Sequence, residues 1–396
     1  MNLVELKRSL EVINTPEERI EYYIAYAQNL KQNNVPIIFD LEHLRRLMGL
    51  EKNDFRKIYY SIDYQYHYKY ILKNRFKLKR HPLNKQKKLP TVKTLKVKLS
   101  KITYDFFSKK IYTFSNNPKV IYKHPILLQF AHDKTNLFRK LSLPSKKLKY
   151  MQRWILDNIL YKLPTDDASH GFTPGKSTVS NALFHINKEF IFKTDIKDFF
   201  PAINSKRIFG LFKSFGYNKS IAYALTKICT YNDELPQGAP TSPYLSNLIC
   251  RKMDYRITCL CKKDNLDYSR YADDITISGG KKIKNIKPLL QDIIESEGFK
   301  LNLEKTRFIH NSYRQTVTGI VVNKKSSIPR ETYRKLRQEI YYMKKFGVSS
   351  HLDSKNLTFK SNVKAYYYGM VNYCYMIDPL KGQSLYIELN KINWKK

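Results

Sequence analysis

Apolar positions recur at helical spacing over the first sixty residues, alternate in short stretches through the middle, and return to helical spacing towards the end. Residues 1–35 read as helical, with Thr15-Pro16-Glu17-Glu18 as a capping box that places proline at the first helical position. That helix should run to about Lys31. Asp40 should cap a second helix that puts Leu41, Leu44, Leu47 and Met48 on one face and stops at Gly49. Residues 52–70 continue as helix and then turn extended and tyrosine-rich. Residues 126–143 predict a hairpin: 126–130 as one strand, 132–136 as the turn and 137–141 as the return, ended by Pro144. An amphipathic helix follows over 147–160, with Leu148, Met151, Ile155 and Ile159 inward.

Residues 189–195 alternate as a strand, with Phe190, Phe192 and Thr194 on one face and Ile191, Lys193 and Asp195 on the other. Ser205 is the expected cap of the next helix, residues 235–243 a proline-rich rigid loop, and 244–262 a helix. Residues 268–272 and 275–278 predict two strands around Asp273-Asp274. An amphipathic helix over 283–297 ends at Gly298, residues 299–308 are extended, 316–322 form another strand, and the chain is helical from Pro329 through Tyr375. There are no internal repeats, and the order is mixed α+β rather than alternating βαβ.

Composition narrows the partners. The 396 residues hold 72 basic against 34 acidic side chains, a net charge of +38, with 42% hydrophobic residues. A globular chain so charged repels itself unless a polyanion shares its surface, so nucleic acid is the leading partner class. Lys and Arg dominate residues 73–110, where Asp105 is the only acid, and such a run reads either as a solvated segment or as a phosphate-contacting insertion. The 31 Tyr and 21 Phe suit base stacking as well as a core. No apolar run approaches the ~20 residues of a membrane span and the N-terminus lacks a secretory signal, so no membrane partner and a cytoplasmic location are expected. The five cysteines lack the spacing of a zinc site and read as reduced. Gly175-Lys176-Ser177 is no P-loop, because His170 stands where that motif needs its first glycine.

The candidate chemistry lies in three carboxylates. Asp195 ends one predicted strand, and Asp273 and Asp274 sit at the turn of a predicted hairpin. Adjacent like charges repel and call for a cation, and hard oxygen donors favour Mg²⁺. If the strands pair, three converging carboxylates can hold two metal ions, the arrangement nucleotidyl transfer uses. The bland alternative is a solvated acidic turn.

Four stretches resemble the motifs of reverse transcriptases, in the family's order. Residues 192–200 (Phe-Lys-Thr-Asp-Ile-Lys-Asp-Phe-Phe) resemble motif A, residues 235–243 (Leu-Pro-Gln-Gly-Ala-Pro-Thr-Ser-Pro) motif B, Tyr271-Ala272-Asp273-Asp274 motif C, and Gly298 with Asn302, Lys305 and Thr306 motif D. Asn181-Ala182-Leu183-Phe184-His185 and Val317-Thr318-Gly319 are similar to two signatures of the retron-type members. The resemblance implies a right-hand polymerase. Residues 1–188 would be N-terminal helices and fingers with a basic insertion at about 73–120, 189–325 the palm with part of the fingers at about 205–234, and 326–396 the thumb.

It also implies roles. Asp195, Asp273 and Asp274 would hold two Mg²⁺ ions, with Mn²⁺ as an alternative ion, and Lys305 would protonate the leaving pyrophosphate. Arg139, Lys134, Ile196, Phe200, Gln237 and Gly238 would bind the nucleotide, with Phe200 as the gate against a ribose 2′-hydroxyl. Asn181, His185, Val317, Thr318 and Gly319 would meet RNA. The implied activity is RNA-directed DNA synthesis from dNTPs on the enzyme's own structured noncoding RNA. The branched RNA–DNA product and an effector protein would serve anti-phage defence. A group II intron-like or diversity-generating reverse transcriptase, or an inactive RNA-binding scaffold, are the competing readings. The Gly-Gly usual at the fingers hairpin turn is absent from residues 126–143.

Overall fold

The computed structural model describes residues 2–72, 102–105, 110–113, 138–354 and 362–394. The N-terminal helices are Leu3–Val12, Glu17–Gln32, Leu41–Leu47 and Lys52–Tyr60. Asp40 caps the third, its carboxylate accepting from the His43 amide at 2.7 Å. The box expected at Thr15 does not form. Pro16 is itself the N-cap of the second helix and no side chain bonds there. On the third helix Leu44 and the following Met48 are buried, whereas Leu47 is exposed and leaves the predicted face.

Strand β1 (Tyr66–Leu72) pairs antiparallel with β4 (Phe138–Pro144), which sets Ile71 opposite Arg139. The return strand of the expected 126–143 hairpin is therefore present and ends at Pro144, but its partner among the described residues lies far upstream. Residues 126–130 and the turn with Lys134 fall outside the described residues, as does most of the basic stretch. Within that stretch β2 (Ile102–Asp105) and β3 (Lys110–Thr113) form an antiparallel pair. After β4, the helix Lys146–Asn158 buries Leu148, Met151 and Ile155, and Ile159 beyond its end is buried as well. Each such side chain removed from water is worth roughly 1.5–3 kcal/mol.

The centre is a four-stranded antiparallel sheet in the order β6 (Asp267–Tyr271), β7 (Asp274–Gly279), β5 (Phe190–Asp195), β8 (Arg307–His310). The alternation along β5 serves two cores. Phe192 packs into the cluster shared by the N-terminal helices, Lys146–Asn158, Ser242–Lys263 and Ile286–Ser296. Ile191, on the other face, packs with Ala182, Val317 and Ile320 and with the C-terminal helices. Those helices are Arg330–Phe346, Val348–Ser354, Val363–Ile377 and Pro379–Asn390.

Three local expectations are corrected. Asn204, not Ser205, caps the helix Ser205–Ser214, its side-chain oxygen accepting from the Arg207 amide at 3.0 Å. The extended run at 299–308 is broken by a 3₁₀ turn, Leu303–Lys305. The strand at 316–322 folds back on itself as β9 (Thr316–Val317) and β10 (Ile320–Val321). Thr318 and Gly319 between them have φ of 45° and 85°. Two consecutive positive φ values are what a type I′ hairpin turn requires, and glycine supplies one without steric cost. Among the described residues no helix is long and apolar enough to cross a membrane.

Candidate active site

The catalytic candidates meet at one end of the central sheet because of strand register. Asp195 ends β5 directly opposite Asp274, which begins β7. Tyr271 of β6 also pairs with Asp274, so Ala272 and Asp273 form a two-residue turn. Ala272 has φ 58°, a conformation ordinarily left to glycine at the first position of such a turn. The backbone on either side holds it there. The Ile196 amide donates to the Asp273 carbonyl at 2.9 Å, and the Asn302 amide donates to the Asp195 carbonyl at 2.8 Å.

A cation already stands in this site. The Lys305 ammonium, delivered by the Leu303–Lys305 turn, forms an ion pair with the Asp195 carboxylate. Thr306 anchors the same turn, its hydroxyl 2.9 Å from that of Thr194. Lys193, two residues before Asp195, lies near Asp274. Burial pushes its pKa down while the Asp274 charge pulls it up. Asp274 retains exposed surface, yet crowding by protein raises its carboxyl pKa, and Lys193 opposes the rise. Lys193 was legible in the sequence only as a same-face neighbour of Asp195. Among the described residues no three His, Cys, Asp or Glu side chains close on a common point. The donors still fit a hard divalent cation. They are carboxylate oxygens, and the Lys305 ammonium shows that Asp195 takes a positive charge at this place.

Behind the turn lies a buried polar network that the sequence did not announce. Arg270 is fully buried and grips both carboxylate oxygens of Asp254, at 2.8 and 2.6 Å. Tyr268 donates to the same carboxylate at 2.7 Å. Arg270 also donates to the Ala272 carbonyl at 2.9 Å and to Asn247 Oδ1 at 3.1 Å. Burial works against its charge, but Asp254 more than offsets this and holds the guanidinium pKa above its usual value. The network ties the turn to the helix Ser242–Lys263.

The nucleotide-binding candidates divide. Phe200 lies beside Phe199, ring centroids 5.4 Å apart, and is half-buried. Gln237 and Gly238 dock on β4: the Ser142 amide donates to the Gln237 carbonyl at 3.0 Å, and a Cβ on Gly238 would meet the Ser142 carbonyl oxygen at 2.7 Å. The close approach that needs glycine is therefore to the strand carrying Arg139. Ile196 requires correction: its side chain is buried and its amide is spent on Asp273.

Three of the RNA-contacting candidates, Asn181, His185 and Val317, also require correction. His185 is fully buried, with Nδ1 2.7 Å from Ser278 Oγ and Nε2 2.7 Å from Ser269 Oγ. It staples β6 to β7, the two strands of the aspartate hairpin. Asn181 and Val317 are buried as well. Thr318 donates its hydroxyl to the Thr178 carbonyl at 2.9 Å, and Ala182 and Val317 share one core cluster, so the two short signatures pack together. Gly319, in the turn, keeps an exposed surface. His185, Asn181 and Val317 are framework positions because they are buried within the protein.

A family model described as reverse transcriptase (RNA-dependent DNA polymerase) matches residues 123–345. The chain belongs to the reverse transcriptase family. Its fold is accordingly that of a right-hand polymerase, with mixed helices and an antiparallel sheet. Its relatives include the retron Ec86 reverse transcriptase of Escherichia coli, 44% identical over 208 residues, covering 52% of this chain and 65% of that protein. They also include the retron Mx162 and Mx65 reverse transcriptases of Myxococcus xanthus. The first is 33% identical, over 64% of this chain and 58% of the relative. The second is 31% identical, over 62% and 60%. The chain thus spans less than two thirds of each of these relatives.

Proposed function

We propose that this reverse transcriptase is an RNA-directed DNA polymerase of the retron type. The observation that carries the chemistry is the β5–β7 register, which sets Asp195 against Asp274 beside the Asp273 turn. Asp195, Asp273 and Asp274 would hold the metal, Mg²⁺ by the hardness of its donors. When bound, the ions would lower the pKa of an attacking hydroxyl and offset charge on the leaving oxygen. Lys305, ion-paired with Asp195, would supply a proton or a positive charge to departing pyrophosphate. Phe200 would exclude a ribose 2′-hydroxyl by bulk, while Gln237 and Gly238 would border the nucleotide together with β4 and its Arg139. On this reading residues 1–188 serve as fingers with N-terminal helices, 189–325 as palm, and 326–396 as thumb.

The retron reading rests on the likeness to retron reverse transcriptases and on the signatures at 181–185 and 317–319. It implies synthesis on the protein's own structured noncoding RNA. DNA would start from an internal guanosine 2′-hydroxyl to give a branched RNA–DNA product, with an effector protein in anti-phage defence. The net charge of +38 suits such an RNA. The test is DNA synthesis by the purified chain with Mg²⁺ and dNTPs, on an annealed primer–template and on the noncoding RNA encoded beside its gene. Synthesis on the first substrate supports the polymerase, and a branched product on the second supports the retron assignment. Silence on both overturns the reading.

A further inference from the structure

We infer that Phe172 is a substrate-contacting residue, the third aromatic of a floor with Phe200 and Tyr271 on which the incoming deoxynucleoside rests. The inference rests on the polymerase reading of the cleft and adds to it a residue outside every motif that reading uses. Phe172 has φ 63°, in the left-handed region, and the residue is 42% exposed. A bulky residue in that conformation is strained, and an exposed ring gains little burial in return. Its ring centroid lies 6.5 Å from that of Phe200 and 6.4 Å from that of Tyr271, within the range of aromatic contact. Phe200 follows Asp195 by five residues, and Tyr271 pairs with Asp274. The ring therefore joins a cluster with one aromatic from each aspartate-bearing segment.

The loop that presents Phe172 is locked to the aspartate hairpin. The His170 amide donates to the Arg270 carbonyl at 2.8 Å, and the Arg270 amide to the Ala168 carbonyl at 2.8 Å. Asn247 donates to the Gly171 carbonyl at 2.7 Å. A Cβ on Gly171 would lie 2.5 Å from the Ala272 amide nitrogen, so only glycine allows this approach. The clamp holds the loop that carries Phe172 against the Ala272-Asp273 turn. A rigid apolar surface suits the C–H face of a deoxyribose and the plane of a base, and is poorly matched to a hydroxylated sugar.

The experiment exploits the strain. Phe172→Gly removes the ring and relieves the backbone, while Phe172→Tyr keeps the ring. If the ring meets substrate, the glycine variant melts at or above the wild-type temperature, yet its KM for dNTP rises about five- to tenfold, the scale of one aromatic contact. The tyrosine variant should return KM to near the wild-type value. A lower melting temperature with unchanged KM would make Phe172 a packing residue and overturn the inference. Direct dNTP binding, read as a thermal upshift, separates this from failure of the polymerase reading. If the wild type binds dNTP without making DNA, the upshift in the glycine variant decides: its loss supports the assignment and its persistence overturns it. A wild type that binds no dNTP overturns both.

Discussion

Asp195 and Asp274 stand directly opposite one another in the register of β5 and β7. Paired residues in an antiparallel ladder project to the same side of the sheet with their Cβ atoms roughly 5 Å apart. Two carboxylates at that spacing repel, and Lys305 and Lys193 are the charges placed to offset them. The expected consequence is that the Asp273→Asn, Asp274→Asn double variant keeps the hairpin and loses its attraction for divalent cations. DNA synthesis should fall by about three orders of magnitude or more, the scale seen when a charge-stabilising group is lost from an active site, while RNA binding persists. Primer extension alongside a filter-binding assay checks this, and near-normal synthesis would dismiss the metal assignment.

Phe200 lies five residues after Asp195 and is half-buried beside Phe199. Phe200→Ala should open space at the sugar and raise ribonucleotide use relative to deoxynucleotide. The measurement is the ratio of kcat/KM for the two substrates, expected to shift by about ten- to a hundredfold, as for the loss of a few packed methylenes. A ratio that does not move would place Phe200 in the core alone.

What the sequence made legible depended on local signals. β5 and the aspartate hairpin could be read because alternation and β-branched residues are properties of the segment itself. The helix Lys146–Asn158 is legible from its apolar spacing in the same way. Arg270 and His185 could not be read. Each is polar by type, and its burial is decided by partners far away in the chain: Asp254 and Asn247 for one, Ser269 and Ser278 for the other. The same limit explains the pairing of β4, whose partner β1 lies across the whole basic stretch. Phe172 lies in a loop with no periodicity, and its significance rests on its φ and its aromatic neighbours.

Arg270 and Asp254 form a fully buried ion pair behind the turn. Arg270→Met leaves the Asp254 carboxylate buried without its cation, which typically costs about 3–5 kcal/mol. Arg270→Met with Asp254→Leu removes both charges and should recover much of that loss. Denaturant unfolding of the two variants checks the difference. If Arg270 also positions the turn through the Ala272 carbonyl, the double variant should remain slow in DNA synthesis despite its recovered stability. Full recovery of both would make the pair a structural element only.

His185 ties acid stability to the aspartate hairpin. Burial between Ser269 and Ser278 pushes its pKa from the usual 6.5 to about 3. The folded state therefore holds the ring neutral, while the unfolded chain takes up a proton as pH falls below about 6.5. Stability from this residue is complete above that value and is lost as pH falls towards about 3, by about 1.4 kcal/mol per pH unit in between. His170, whose pKa burial lowers to about 4, acts in the same direction over a narrower window. A His185→Gln variant keeps hydrogen-bonding capacity and cannot titrate. Its unfolding free energy should be lower than wild type at pH 7 but should decline less steeply between pH 6 and 4. Because the histidine faces the hairpin rather than solvent, DNA synthesis on an ordinary primer–template and on the structured RNA should fall together in His185→Ala. Selective loss on the structured RNA would instead return His185 to the role of an RNA contact.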